Sequence, residues 1–209
     1  MKIAIIGTGQ VGISLAKGWA KAGHEIYLGL KKLNTQKLQT VLNLNERIVV
    51  RLIPDAVIES NIIVMAMPPE SVKEISELVG EIRDKVVIDT INSIMNYPEP
   101  YYSTAEAIKA WTGCERIIKC FNTTGVENLS NPLYDNSKID TFMAGDNEDD
   151  KMIVKQLAYD LGFEECYDCG GFDKIPLLES MALFWMNLAF MQGYGPDIGL
   201  KVLQRGFPR

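Results

Sequence analysis

The feature that most constrains this chain lies at its start. The apolar run Lys2-Ile3-Ala4-Ile5-Ile6 passes without a break into Gly7-Thr8-Gly9-Gln10-Val11-Gly12, and an amphipathic segment follows. A buried strand that turns straight into a helix predicts a layered α/β fold built on a parallel sheet. The GxGxxG spacing alone is weak evidence in a chain with 17 glycines, but its place between strand and helix gives each glycine a physical task. Gly7 permits the tight turn, Gly9 removes a Cβ from the path of a pyrophosphate, and Gly12 lets the helix lie close on the strand. The free N–H groups of the helix start, from Thr8 through Gln10 and Val11, then face the phosphates with the positive end of the helix dipole behind them. The segment Gly7 to Gly12 is therefore expected to hold a dinucleotide.

The 209 residues suffice for one good core, or for one large and one small domain. A net charge of −6 argues against a general nucleic-acid surface, so an anionic ligand has to be held by local features. The opening MKIAIIG is better used as a strand than as a secretory leader, and the apolar stretch from Met181 to Met191 is too short to span a bilayer. A cytoplasmic protein with no membrane or nucleic-acid partner is expected. Four cysteines, Cys114, Cys120, Cys166 and Cys169, fit a reducing compartment. Cys166-Tyr-Asp-Cys169 has CxxC spacing but reads as a strand end before Gly170-Gly171, and the single histidine, His24, is distant, so no metal is expected. His24 itself reads as a turn residue packed on the sheet edge.

Along the chain, the spacing of Val11, Leu15, Trp19 and Ala22 predicts a helix over Gln10 to Lys21. Strands are expected at Glu25–Gly29, Arg47–Leu52, Asn61–Ala66, Lys85–Asp89, Arg116–Phe121 and Asp140–Ala144. Helices are expected near Thr35–Leu42, after Met67-Pro68-Pro69 with Val72, Ile75, Leu78 and Val79 inward, near Ser103–Trp111, and after the acidic run Asp146 to Asp150. That run reads as a helix start, with Ile153, Leu157 and Leu161 inward, and not as a metal cluster. The alternation predicts a doubly wound (Rossmann), mostly parallel sheet over residues 1–170. Residues 171–209 are expected to form a small C-terminal helical extension packed on it; its Leu177 to Met191 helix is apolar on most faces and points to a homodimer.

In an NAD-selective fold an acid at the end of the second strand holds the adenosine ribose hydroxyls. Here that place holds Gly29-Leu30-Lys31-Lys32, with no acid in the stretch to repel a 2′-phosphate and two ammonium groups to pair with one. NADP(H) is expected over NAD(H), with Leu30, Lys31 and Lys32 at its adenosine end. The bland alternative is that the two lysines are solvated loop charges.

The N-terminal GTGQVGISLAKGWAKAGHEI, the strand ends MAMPPESV and VVIDTINSI, the segment Lys119-Cys-Phe-Asn-Thr-Thr-Gly-Val-Glu-Asn128, and the tail from Leu178 to Gly199 together resemble the NADP oxidoreductases that use the deazaflavin coenzyme F420. The chain is similar also to the cytosolic oxidoreductase domain of six-transmembrane ferric reductases. The resemblance implies direct hydride exchange between a nicotinamide and a deazaflavin or flavin at the carboxyl ends of the strands, with no catalytic side chain. Met67, Pro68, Pro69 and Asn92 are expected to wall the nicotinamide end, and Thr90, Asn122, Thr123 and Thr124 to face the second, small-molecule redox partner. Each of these could instead be a turn residue satisfying its own loop. No acid–base dyad is expected, since Asp89 stands alone at its strand end. Two other readings stay open: a dehydrogenase of a small carbonyl or imine substrate, and a non-catalytic NADP(H)-sensing module.

Overall fold

The computed structural model describes residues 1–33 and 45–206, so the helix expected near Thr35–Leu42 lies outside the described residues. Strands β1 (Lys2–Ile6), β2 (Glu25–Leu30), β3 (Ile48–Leu52), β4 (Ile62–Met65), β5 (Val86–Asp89) and β6 (Ile117–Cys120) lie side by side in the order β3-β2-β1-β4-β5-β6, every neighbouring pair parallel. The order reverses at β1, so the connections leaving β1 and β4 diverge and open a crevice above their carboxyl ends. A small antiparallel ribbon of β7 (Leu133–Tyr134) and β8 (Ser137–Lys138) then returns the chain. β9 (Thr141–Ala144) pairs antiparallel with β6, and β10 (Cys166–Asp168) pairs parallel with β9. The expected doubly wound, mostly parallel sheet is what the chain forms, its far edge reversed by that ribbon.

Both faces of the sheet are covered, which is why the strands read as almost unbroken apolar runs. Ile3 and Ile5 face helices α1 (Gln10–Lys21) and α6 (Glu148–Leu161), meeting Leu15, Trp19, Val154 and Leu157. Ala4 and Ile6 face the other way, against α2 (Ile53–Glu59), α3 (Val72–Val79), α4 (Thr104–Thr112) and α7 (Ile175–Met186). A short helix, α5 (Val126–Ser130), follows β6. Trp19 ties the first face together, its indole N–H donating to the Leu157 carbonyl at 2.9 Å from full burial. His24 is buried at the start of β2, hydrogen-bonded to the Met1 amine and to Asp160.

The structure departs from the sequence reading in several places. Helix α2 fills what reads as a loop; Pro54 sits in its first turn, where a missing N–H costs nothing. Leu78 is 38% exposed, because it lies roughly 120° round α3 from the stripe made by Val72, Ile75, Ser76 and Val79. The C-terminal helix is only half covered: Ile175, Leu178, Ala182 and Trp185 are buried, while Leu177, Leu183 and Phe184 stay about half exposed. It passes at Asn187–Met191 into a π-helical turn. The chain then folds back, with the Ile198 carbonyl held by Asn128 and Trp185 and the Val202 N–H by Asp140.

Candidate functional site

At the end of β1 the glycines do what their places require. Gly7 has φ +124°, and a Cβ there would lie 2.0 Å from the Ala66 carbonyl oxygen of the neighbouring strand end. A Cβ on Gly12 would lie 2.2 Å from the Gly7 carbonyl oxygen, so helix and turn meet backbone to backbone. Gly9 differs: a Cβ there would meet nothing within 4 Å among the described residues. Its hydrogen side chain is not needed by the protein's own packing, and what it leaves is open space in front of a helix.

That helix, α1, starts with Gly9 as its N-cap, with no side-chain cap and no acid in its first turn. By contrast, Ser103 accepts from the Glu106 N–H at the start of α4, and Asn147 from the Asp150 N–H at the start of α6. Among the described residues no side chain caps the first N–H groups of α1, which leaves them open to an external acceptor. Open backbone and unclaimed donors form a cradle that fits a pyrophosphate.

A cavity of about 500 Å³ opens from this turn. Gly7 and Thr8, Leu30, Lys31 and Lys32 from the end of β2, and Met67 from the end of β4 line it together with Gly29, Ile53, Ser71 and Glu74. Of the expected cofactor residues, Gly9, Gln10 and Val11 lie exposed or half-buried at the helix start above it, and Pro68 and Pro69 lead into the 3-10 turn Pro69–Ser71 before α3. The stretch after β2 holds no acid, as expected, but the fold brings one from elsewhere. Glu74, on the first turn of α3, forms an ion pair with Lys31 across the cavity wall. The reading of two unopposed cations is corrected accordingly: Lys31 already has a carboxylate.

The remaining expected residues gather at the ends of β5 and β6, bonded partly to one another and partly to β4, α5 and α7. Thr90 donates its hydroxyl to the Met65 carbonyl at 2.9 Å, which ties this loop to the end of β4. Asn92 and Asn122 form a reciprocal pair: the Asn92 amide donates to the Asn122 carbonyl at 3.0 Å, and the Asn122 amide donates to the Asn92 side-chain oxygen at 2.8 Å. Asn122 also donates to the Leu178 carbonyl of α7 at 3.3 Å, and its own side-chain oxygen is buried without a partner among the described residues. Thr123 is buried, and the Thr124 hydroxyl accepts from Asn128 at 2.7 Å. Asn92 and Thr124 are the half-exposed members of this group. Phe121, before Asn122, holds φ +62° from full burial, a conformation costly for an aromatic residue and fixed here by ring contacts to Trp19 and Phe163.

Beneath this loop lies a cluster that sequence reasoning missed. Lys119 is fully buried and donates to Asp89 at 3.0 Å, to Glu179 of α7 at 2.7 Å and to the Ile91 carbonyl. Asp89 accepts in addition from the Thr104 hydroxyl at 2.7 Å and the Ile91 N–H at 2.9 Å. Asp89 is thus one of two carboxylates on a single ammonium group, not a lone acid. The available signal was a lysine inside Ile117-Ile118-Lys119-Cys120 and a glutamate inside an apolar helix, since buried charges demand partners. Among the cysteines, Cys166 lies 3.9 Å from Cys120 across the sheet edge, while the Cys169 thiol turns to the Tyr167 carbonyl.

Residues 2–93 match the family model described as NADP oxidoreductase coenzyme F420-dependent. The F420-dependent NADP reductase of Methanothermobacter thermautotrophicus is 26% identical over 215 residues, spanning 90% of this chain and 89% of that relative. The F420-dependent NADP reductase of Methanocaldococcus jannaschii is 25% identical over 214 residues, spanning 91% of this chain and 94% of that one. A crystal structure of a proposed F420-dependent NADP-reductase from Arthrobacter sp. FB24 shares the fold with a TM-score of 0.81 at 21% identity, covering 98% of this chain and 100% of that one. The resemblance read from the sequence thus extends over nearly the whole chain.

Proposed function

We infer that this chain, similar along its length to F420-dependent NADP reductases, is an NADP(H)-dependent oxidoreductase that exchanges hydride with a deazaflavin-type small molecule. The observation that carries the reading is the unfilled space before Gly9, under an uncapped helix and beside a cavity walled by two lysines. The α1 N–H groups would hold the pyrophosphate, Lys31 and Lys32 the 2′-phosphate, and Leu30 and Ile53 the apolar side of the adenosine end. When bound, the nicotinamide supplies a transferable hydride. Met67 and Pro68, at the end of β4, would bound its ring, and Asn92 and Thr124 offer polar atoms toward the second partner. Asn122 supports the wall by bonding Asn92 to α7.

Hydride transfer between two preformed rings asks the protein mainly for proximity, orientation and exclusion of water. The loops at the ends of β4, β5 and β6, tied to one another by hydrogen bonds, suit that task. Asp89 and Glu179 are engaged by Lys119 and are not assigned a proton-transfer role.

The test is stopped-flow oxidation of NADPH with a deazaflavin, FMN or FAD as acceptor. Turnover with the deazaflavin supports the reading, whereas tight nucleotide binding without turnover on any acceptor favours a sensing module. A second copy of the chain is proposed to cover the exposed Leu177, Leu183 and Phe184 of α7. Sedimentation at micromolar concentration tests it, and a monomer alone refutes it.

A further inference from the structure

The lysines that invite a 2′-phosphate are not equivalent. Lys31 is paired with Glu74, and the pair joins the loop after β2 to the first turn of α3 along the wall of the cavity. Among the described residues Lys32 has no carboxylate partner, so its charge is available without a competing step. We propose that Glu74 is a specificity-determining residue: as the resident counter-ion of Lys31, it sets how strongly the site prefers a nucleotide with a 2′-phosphate. The proposal rests on the reading that this cavity takes the adenosine end of NADP(H).

The physical argument is competition. A 2′-phosphate can use Lys31 fully only by displacing the Glu74 carboxylate, so breaking that ion pair opposes its binding. A nucleotide with a free ribose hydroxyl asks for no such exchange, and a carboxylate is an acceptor for that hydroxyl. Glu74 therefore lowers the affinity for the phosphorylated nucleotide and leaves the other unchanged or improved. Its effect has the opposite sign to that of Lys31 while acting through it. Both side chains are largely in solvent, 44% exposed for Lys31 and 60% for Glu74, which keeps the effect modest and makes the variants safe for the fold.

The experiment is a set of NADPH and NADH titrations on the full chain, its Glu74→Gln and Lys31→Met variants, and the double variant, read as the ratio of the two dissociation constants. Glu74→Gln should tighten NADPH about two- to fivefold, the range expected when an exposed ion pair no longer competes. NADH should not tighten. Lys31→Met should weaken NADPH alone, and in that background Glu74→Gln should produce no gain. An unchanged ratio in Glu74→Gln overturns the proposal. So does a gain that persists without Lys31, because Glu74 would then act by direct repulsion. A wild-type chain that binds NADH as tightly as NADPH defeats the underlying reading before any variant is compared, and the proposal falls with it.

Discussion

Lys119 and Glu179 stand 60 residues apart in sequence and 2.7 Å apart in the fold. With Asp89 at 3.0 Å they place one ammonium and two carboxylates where strand β6 meets the C-terminal helix. Removing one member of such a buried set leaves uncompensated charge, and that cost exceeds the net worth of the pair. Lys119→Met is expected to lower stability by about 3–5 kcal/mol in urea unfolding. The triple change Lys119→Met, Asp89→Asn, Glu179→Gln should recover much of that loss. A loss below about 1 kcal/mol for Lys119→Met alone would show that water or protonation already relieves the cluster.

The two glycines that flank the phosphate cradle should behave in opposite ways. The Cβ that Gly9→Val adds meets no atom of the described residues within 4 Å, so thermal stability should hold while NADPH affinity falls at least about tenfold. Gly12→Ala forces a Cβ to 2.2 Å from the Gly7 carbonyl oxygen and should destabilise the fold by about 1–3 kcal/mol. Paired thermal melts and fluorescence titrations separate the two. Unchanged affinity in Gly9→Val would remove the pyrophosphate from this turn.

Glu165 gives a pH-dependent prediction on the sheet edge. Burial pushes its carboxyl up, but hydrogen bonds from Lys155, the Cys166 N–H and Tyr159 outweigh burial and hold it below its ordinary value of 4.5. The folded chain binds that proton less readily than the unfolded chain. Its contribution is therefore present above pH 4.5 and is lost as the pH falls through the lower folded value. Glu165→Gln should be less stable than wild type at pH 7, and the two should converge in acid. A difference that stays constant from pH 7 to pH 3 would contradict this.

Thiol chemistry probes the same edge. Burial pushes the Cys114 thiol up to about 11, and burial together with the adjacent Cys166 thiol raises Cys120. The half-buried Cys169 should react first with a maleimide at pH 8, with the other three labelled only on unfolding. Mass spectrometry over a time course reads the order. Early labelling of Cys120 would mean that the sheet opens at β9 and β10, which lie outside β6, in the native state.

The strands of the sheet, the glycine turn after β1 and the placing of three loops at strand ends follow from local signals, because each rests on a short run of residues whose period or glycines can be read directly. Gly7, Gly12 and the runs Ile62–Met65 and Val86–Asp89 are of this kind. Glu74 and Glu179 are not. Glu74 is an ordinary surface glutamate until the fold carries it to Lys31, 43 residues earlier in the chain. Glu179 sits in an apolar helix, and only pairing its charge with that of Lys119 would have placed it. The exposure of α7 was hidden for a related reason: composition shows that a helix is apolar, but not how much of it one chain can cover.

Ser103 and Asn147 cap their helices from within the chain, whereas among the described residues no side chain caps α1 at Gly9. With the pyrophosphate seated there as proposed, folding and ligand concentration are thermodynamically linked at that helix start. A nucleotide that completes the first turn of α1 binds the native state and not the unfolded chain, so at a hundredfold excess over its dissociation constant it adds about 2.7 kcal/mol to the stability of the whole domain. The melting temperature then reports occupancy directly, and a panel of nucleotides can be ranked by it before any hydride acceptor has been found.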